Sequence, residues 1–463
     1  MADKSDEVLN RTLEETRRFR ITRRRLMQGA AASAAALAAT WKPREVRADV
    51  SGSVNVYTSS GLRWEGSMRA ALPLFEQVYP NIDVNFVAEP IGETFPKINV
   101  MMESQIDTFN VIYTDYGQWP SMYAKEALTP LQPFADQDPA WFEDYLNDVP
   151  REISKLYRVP PEQDGELYGL TPDGNALLAT YRKDVLDKHG ISYPETYDEW
   201  IEAAKEVHDP DNEVYAYCAS LQRGAWFGFN FWAALAAHGG SWFDRMEKGY
   251  WNPTFNTEAG YLSLKVMKEL QAYAHPVTSN ATEDEVNRAF ANGSALLGPN
   301  TWGTAVLNKP EYSKFPEEFH WDVPPRGSNP EGVHKALTGG LGQFIPPWSA
   351  DHQAAWEWIK WINSGDMTDP RIGQAMVEAG GQPSRVSLLS KYADQRNFFK
   401  GLAKAIRVAT PYLMLVPEAI PLVSAFGEEG ADYVNDQKDI EDALEAMDRR
   451  CRRIMEDSGY YDD

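Results

Sequence analysis

Between Ser53 and Tyr113 the apolar residues keep changing their spacing, and that rhythm restricts the chain to few folds. Ser53-Val54-Asn55-Val56-Tyr57 alternates with the period of a strand and stops at the turn Thr58-Ser59-Ser60-Gly61. Met68, Leu72, Leu74, Phe75 and Val78 then recur at helical spacing up to Tyr79-Pro80-Asn81. Ile82 to Val87 alternates again, Phe95 to Met102 reads as a helix, and Phe109 to Tyr113 is a short apolar strand with Asp115 just past its end. Strands separated by single helices predict a parallel sheet covered by helices. Ligands bind such sheets beyond the carboxyl ends of the strands. Here those ends are the Ser59–Trp64 and Thr114–Trp119 loops, both rich in polar and aromatic groups.

A second α/β region starts near Asn175. Ala176 to Tyr181 reads as an apolar strand, and Thr196 followed by Glu199 forms a capping box for a helix to Val207. Val214 to Tyr217 is a strand, and Trp226 to Ala237 is an apolar helix ended by Gly239-Gly240. Ser294 to Leu297 is a buried strand, with Gly298-Pro299-Asn300-Thr301-Trp302 after it. The first pattern then resumes, with a strand at Leu341–Ile345 and a helix at Ala350–Ile362. Two terminal helices close the chain, the last at Ile440–Met455. No Pro/Ser-rich linker separates independent domains, so two lobes crossed several times by the chain are expected.

The N-terminus reads as an export address. Thr22-Arg23-Arg24-Arg25-Leu26-Met27-Gln28 places paired arginines before the short Ala-rich run Gly29–Thr40, and Val46-Arg47-Ala48 offers small residues to a signal peptidase. The arginine pair marks the twin-arginine type. Residues 1–48 are therefore assigned as a signal peptide and the rest as periplasmic. No cysteine lies near the cleavage site for a lipid anchor, and no later apolar run reaches the ~18 residues of a membrane span. After residue 48 the chain holds 34 basic and 62 acidic residues, a net charge of −28. Such a surface repels nucleic acid and anionic lipid. Cys218 and Cys451, the only cysteines, are expected to be unpaired and buried.

Catalytic signatures are missing. There is no G-x-S-x-G elbow, no H-E-x-x-H, no Gly-rich phosphate loop and no Cys cluster, and the seven histidines are scattered without metal-ligand spacing. No enzyme activity, cofactor or metal is expected. A glycoside-active enzyme would need two carboxylates facing a scissile bond, which 62 acids make easy to suppose and impossible to place. Fifteen Trp and 22 Tyr instead suit a protein that stacks flat faces on something.

Several segments, in order, resemble the extracellular solute-binding proteins of bacterial ABC importers, in the sugar-binding branch that includes maltose-binding protein. They are Ala127-Leu128-Thr129-Pro130-Leu131, Gly165-Glu166-Leu167-Tyr168-Gly169-Leu170, Tyr181-Arg182-Lys183-Asp184-Val185-Leu186 and Thr196-Tyr197-Asp198-Glu199-Trp200. Ala289-Phe290-Ala291-Asn292-Gly293, Gly298 to Trp302 and Gly381-Gln382-Pro383-Ser384-Arg385 continue the series. The resemblance covers nearly all of residues 50–460. It implies an α/β, two-lobed periplasmic-binding-protein fold with discontinuous lobes and an interlobe ligand cleft. Lobe 1 is expected from 49–172 plus 319–370, and lobe 2 from 173–318 plus 371–463. It further implies a monomer that hands a carbohydrate or polyol to ABC permease subunits.

Sugar faces stack on aromatic rings, and the hydroxyl rim needs polar side chains that donate and accept. The resemblance puts a hydroxyl-binding carboxylate at Asp115, a ligand-binding acid or amide at Asn175 and a stacking ring at Trp302. Arg63 and Trp64 are candidates in the first loop, and Gln118 beside Trp119 in the other. Asp173 competes with Asn175 or shapes the turn. Asn300 stands beside Trp302, and Arg223 three residues before Trp226, whose ring could equally pack in the core. Gly340 matches a loop whose backbone approaches the ligand, and Arg385 either caps the cleft or serves a structural role. Trp356, Trp358 and Trp361 share one helix and are expected to pack. The acidic balance alone would also fit a polyamine carrier, but Arg63, Arg223 and Arg385 among the acids favour hydroxyls.

Overall fold

A computed structural model describes residues 46–461, apart from 162, 246–249, 303–304 and 368. The expected signal peptide therefore lies outside the described residues except for Val46-Arg47-Ala48. In chain order the elements used below are β1 (Gly52–Ser59), α1 (Ser67–Val78), β2 (Ile82–Glu89), α2 (Ile91–Ser104), β3 (Val111–Asp115), β4 (Leu177–Arg182), α3 (Tyr197–Val207) and β5 (Tyr215–Tyr217). They continue with α4 (Ala225–Ala237), β6 (Ala295–Trp302), β7 (Phe319–Asp322), β8 (Ala336–Thr338), β9 (Leu341–Phe344), α5 (His352–Asn363) and α6 (Pro370–Ala379). Last come β10 (Ala409–Pro411), α7 (Ala419–Val434) and α8 (Ile440–Asp457).

The chain forms two compact units, one from 46–175 and Gly339–Ala393, the other from Ala176–Thr338 and 394–461. In the first, β1 pairs in parallel with β2 and β3, and β9 joins β3 antiparallel, giving the order β9-β3-β1-β2. The alternation read in the sequence places Val54 and Val56 in the core. Met68, Leu74, Phe75 and Val78 turn inward from α1. Trp356, Trp358 and Trp361 of α5 are 2%, 0% and 2% exposed. Trp358 meets Phe75 edge-on at 5.1 Å and Phe86 at 5.7 Å, so these indoles pack as expected.

The second unit departs from the βαβ pattern. Its main sheet has the order β5-β6-β4-β7, with β6 and β7 both antiparallel to β4 and only β5 parallel to β6. A small parallel pair joins β8 to β10. The capping box forms: Glu199 N donates to Thr196 Oγ1 at 3.3 Å, and Glu199 Oε2 accepts from Thr196 N at 3.1 Å. Cys218 and Cys451 are both free and fully buried. Among the described residues no helix is long and apolar enough to cross a membrane.

Three readings need correction. Asp115 does not follow β3 but ends it, its backbone paired with Leu341. The strand expected to stop at Leu297 runs on to Trp302, and all eight of its residues are buried; Asn300 and Trp302 thus sit on a strand rather than a loop. The division of the chain also shifts. Residues 319–338 fall in the second unit because β7 pairs with β4, and 371–393 fall in the first, where α6 packs on α1. A hydrophobic pattern shows that a strand exists but not which strand it joins.

Candidate functional site

Because β1, β2 and β3 are parallel, Ser59, Glu89 and Asp115 end at one edge of the first unit's sheet. After β1 the backbone passes Gly61, at φ 155°, into a single wide turn over Leu62–Gly66 that presents Arg63 and Trp64. The Arg63 guanidinium donates through Nε and Nη2 to both oxygens of Asp173, each at 2.7 Å. The Arg63 and Asp173 side chains are 10% and 2% exposed. A bidentate, charge-assisted pair of this kind fixes both partners. Burial pushes the Asp173 carboxyl up, and Arg63 pulls it back.

The segment carrying Asp173 is itself anchored: Gly174 N donates to Gln382 O at 2.6 Å and Ser384 N to Pro172 O at 3.2 Å. Gly340 lies against it at φ 89°, and a Cβ there would stand 3.0 Å from Asp173 Oδ2 and 3.4 Å from the Asn175 Cβ. Glycine is required on both counts. Arg63, Trp64, Asp173, Asn175 and Gly340 therefore gather in one place. The Trp64 ring lies 5.7 Å from the Arg63 guanidinium carbon, and its buried Nε1–H has no partner among the described residues. Asp115 Oδ1 accepts from Gly117 N at 2.9 Å, which shapes its turn.

The other first-unit candidates are tied to neighbours within the unit. Gln118 is buried, and its amide donates to Asn99 Oδ1 at 3.0 Å, towards α2. Trp119 is fully buried and stacked on Phe344 at 6.3 Å. Arg385 spends Nε on Asn363 O at 2.8 Å and Nη1 on Asp144 and Asp148 at 2.8 and 3.1 Å. It is 4% exposed, and its buried Nη2 has no partner among the described residues.

Glu89 was missed by the sequence reading. Its Oε2 accepts from the Tyr57 hydroxyl at 2.9 Å and also binds the Lys97 ammonium. The bond from Lys97 holds the Glu89 carboxyl below the usual carboxylate range. The strand-end rule would have found Glu89 had β2 been read two residues longer.

In the second unit, Trp302 ends β6 and meets Tyr412 edge-on at 5.4 Å and Phe229 at 6.2 Å. Phe229 meets Tyr412 at 5.1 Å and Trp226 at 6.1 Å, again nearly perpendicular. Tyr412 was also missed. It arrives because β10 pairs with β8 and its own N–H donates to Thr338 O at 2.8 Å. Asn300 does not join these rings: its Nδ2 donates to the Tyr197 hydroxyl at 2.5 Å, inside the core, where Tyr197 stacks on His238 at 5.4 Å. Arg223 is half-exposed and pairs with Asp432 at 2.9 Å and Glu428 at 3.6 Å, which makes it a surface ion pair.

Among the described residues, no group of three or more His, Cys, Asp or Glu could hold a metal ion. The arrangement can offer hydrogen bonds and ring faces.

Comparison with known proteins agrees with this geometry. The family of bacterial extracellular solute-binding proteins matches residues 60–366. A mannitol-binding protein of Pseudomonas aeruginosa is 23% identical over 415 residues, covering 85% of this chain and 91% of its own. Among solved structures, a ribitol-bound ABC-transporter solute-binding protein of Agrobacterium radiobacter has a TM-score of 0.75 at 19% identity, covering 89% of this chain and all of its own. The maltose-bound MalE3 of T. maritima has a TM-score of 0.74 at 21% identity, covering 87% of this chain and all of its own. With a periplasmic-binding-protein fold and a family match over most of its length, the chain belongs to the bacterial extracellular solute-binding proteins.

Proposed function

We propose that this chain binds an acyclic polyol, or a sugar of similar size, outside the cytoplasm and passes it intact to an ABC permease. It is a binding protein and not an enzyme. The Arg63–Asp173 pair carries the reading. It cancels its own charge, so it leaves the polar groups around it without a surplus charge that would select a cation over a hydroxyl. A polyamine would need surplus carboxylate there. The mannitol-binding relative and the ribitol-bound structure support the acyclic choice.

Asp115, Asn175, Arg63 and Asp173 would bond hydroxyls, with the Trp64 ring covering part of the carbon chain. Export by the twin-arginine route follows from Arg23-Arg24, and a Lys pair in their place should leave precursor in the cytoplasm on fractionation.

The test is a melting panel of mannitol, ribitol, sorbitol, maltose and spermidine. Saturating ligand at 100 times Kd stabilises by about 2.7 kcal/mol, so alditols should raise Tm clearly. A shift with spermidine alone would overturn the reading.

A further inference from the structure

The parallel register pairs Ser59 with Glu89 and Thr58 with Tyr113, so Glu89 and Asp115 flank the end of β1 on either side. Two strand spacings separate them across the edge, ~10 Å between backbones. Glu89 is anchored through one oxygen only. Tyr57 and Lys97 both bind Oε2, while Oε1 has no partner among the described residues and the side chain is 24% exposed. A carboxylate immobilised on one oxygen and open on the other is a preorganised acceptor, and it gains a ligand bond with little ordering cost.

Resting on the polyol reading above, we propose that Glu89 is a further specificity-determining residue, accepting through Oε1 a ligand hydroxyl different from the one bound at Asp115. Tyr57 acts as a positioning residue, since its hydroxyl holds the carboxylate without facing the ligand. Lys97 neutralises Glu89 from the solvent side, so the acceptor adds no net charge that would attract a cation in place of a polyol.

Calorimetric titration of the full chain with mannitol tests this. Glu89→Ala should weaken binding tenfold or more, with Glu89→Gln in between. Lys97→Gln removes the ion pair but keeps the acceptor, and should bind within threefold of wild type. Glu93→Gln, four residues before Lys97 on α2, should change nothing. Equal losses in Glu89→Ala and Lys97→Gln would make the pair merely structural and overturn the proposal, as would Glu89→Ala binding like wild type while wild type takes mannitol. If wild type takes no alditol at all, the polyol reading fails and this inference falls with it.

Discussion

Arg63 shows how a candidate ligand residue can also be bound into the fold. Its partner Asp173 is almost wholly buried, and removing one member of a buried pair leaves the other charge uncompensated, at a cost of about 3–5 kcal/mol. Arg63→Ala should therefore lower the denaturation midpoint as well as mannitol affinity, which urea unfolding and titration will separate. Arg63→Ala with Asp173→Asn should recover much of the stability and none of the binding. If the double variant is as unstable as the single one, the pair does not act as a unit. Residue type made Arg63 and Asp173 candidates in the sequence, but their joining across 110 positions was not legible there. The partners of Asn300 and Arg385 were equally illegible: both have the right chemistry for a sugar site, and each bonds to residues far along the chain, Tyr197 for one and Asp144 and Asp148 for the other.

At the scale of elements, periodicity located β1, α1, β2 and α5 within a few residues; α1 and β2 bury one face and turn the other outward, which is what such a pattern records. It failed where context decides. The apolar run marks β6 only as far as Leu297, yet the strand continues through Gly298-Pro299 to Trp302 with every residue buried. Tyr412 owes its place to the three-residue pairing of β10 with β8, too short to leave a pattern. The indoles of α5 are the clearest case of sequence and packing agreeing. Trp358 is fully buried against Phe75 and Phe86, so Trp358→Ala should cost about 3–5 kcal/mol of unfolding free energy. A loss below 1 kcal/mol in chemical denaturation would contradict that packing.

For the molecule as a whole, stability should depend on pH through its buried and half-buried histidines. His238 is 2% exposed, its Nδ1 bonds to Ala234 O at 2.8 Å, and burial pulls its pKa below the ordinary value. His208 and His320 shift the same way for the same reason. Below about pH 6.5 the unfolded chain gains protons that the folded chain refuses, so stability is present above that pH and falls as pH drops towards 5. Tm should decline over this window, and His238→Gln should flatten the decline; an unchanged slope would remove His238 as a cause. What the sequence determined alone was the kind of molecule: alternating strands and helices, an acidic surface and paired arginines, all written in local spacing and composition. The tertiary structure alone decided which polar groups stand ready for a ligand. How much of a side chain's hydrogen-bonding capacity is left for a ligand depends on what the rest of the fold has claimed, and those claims come from residues far along the chain, as Asp173 is from Arg63.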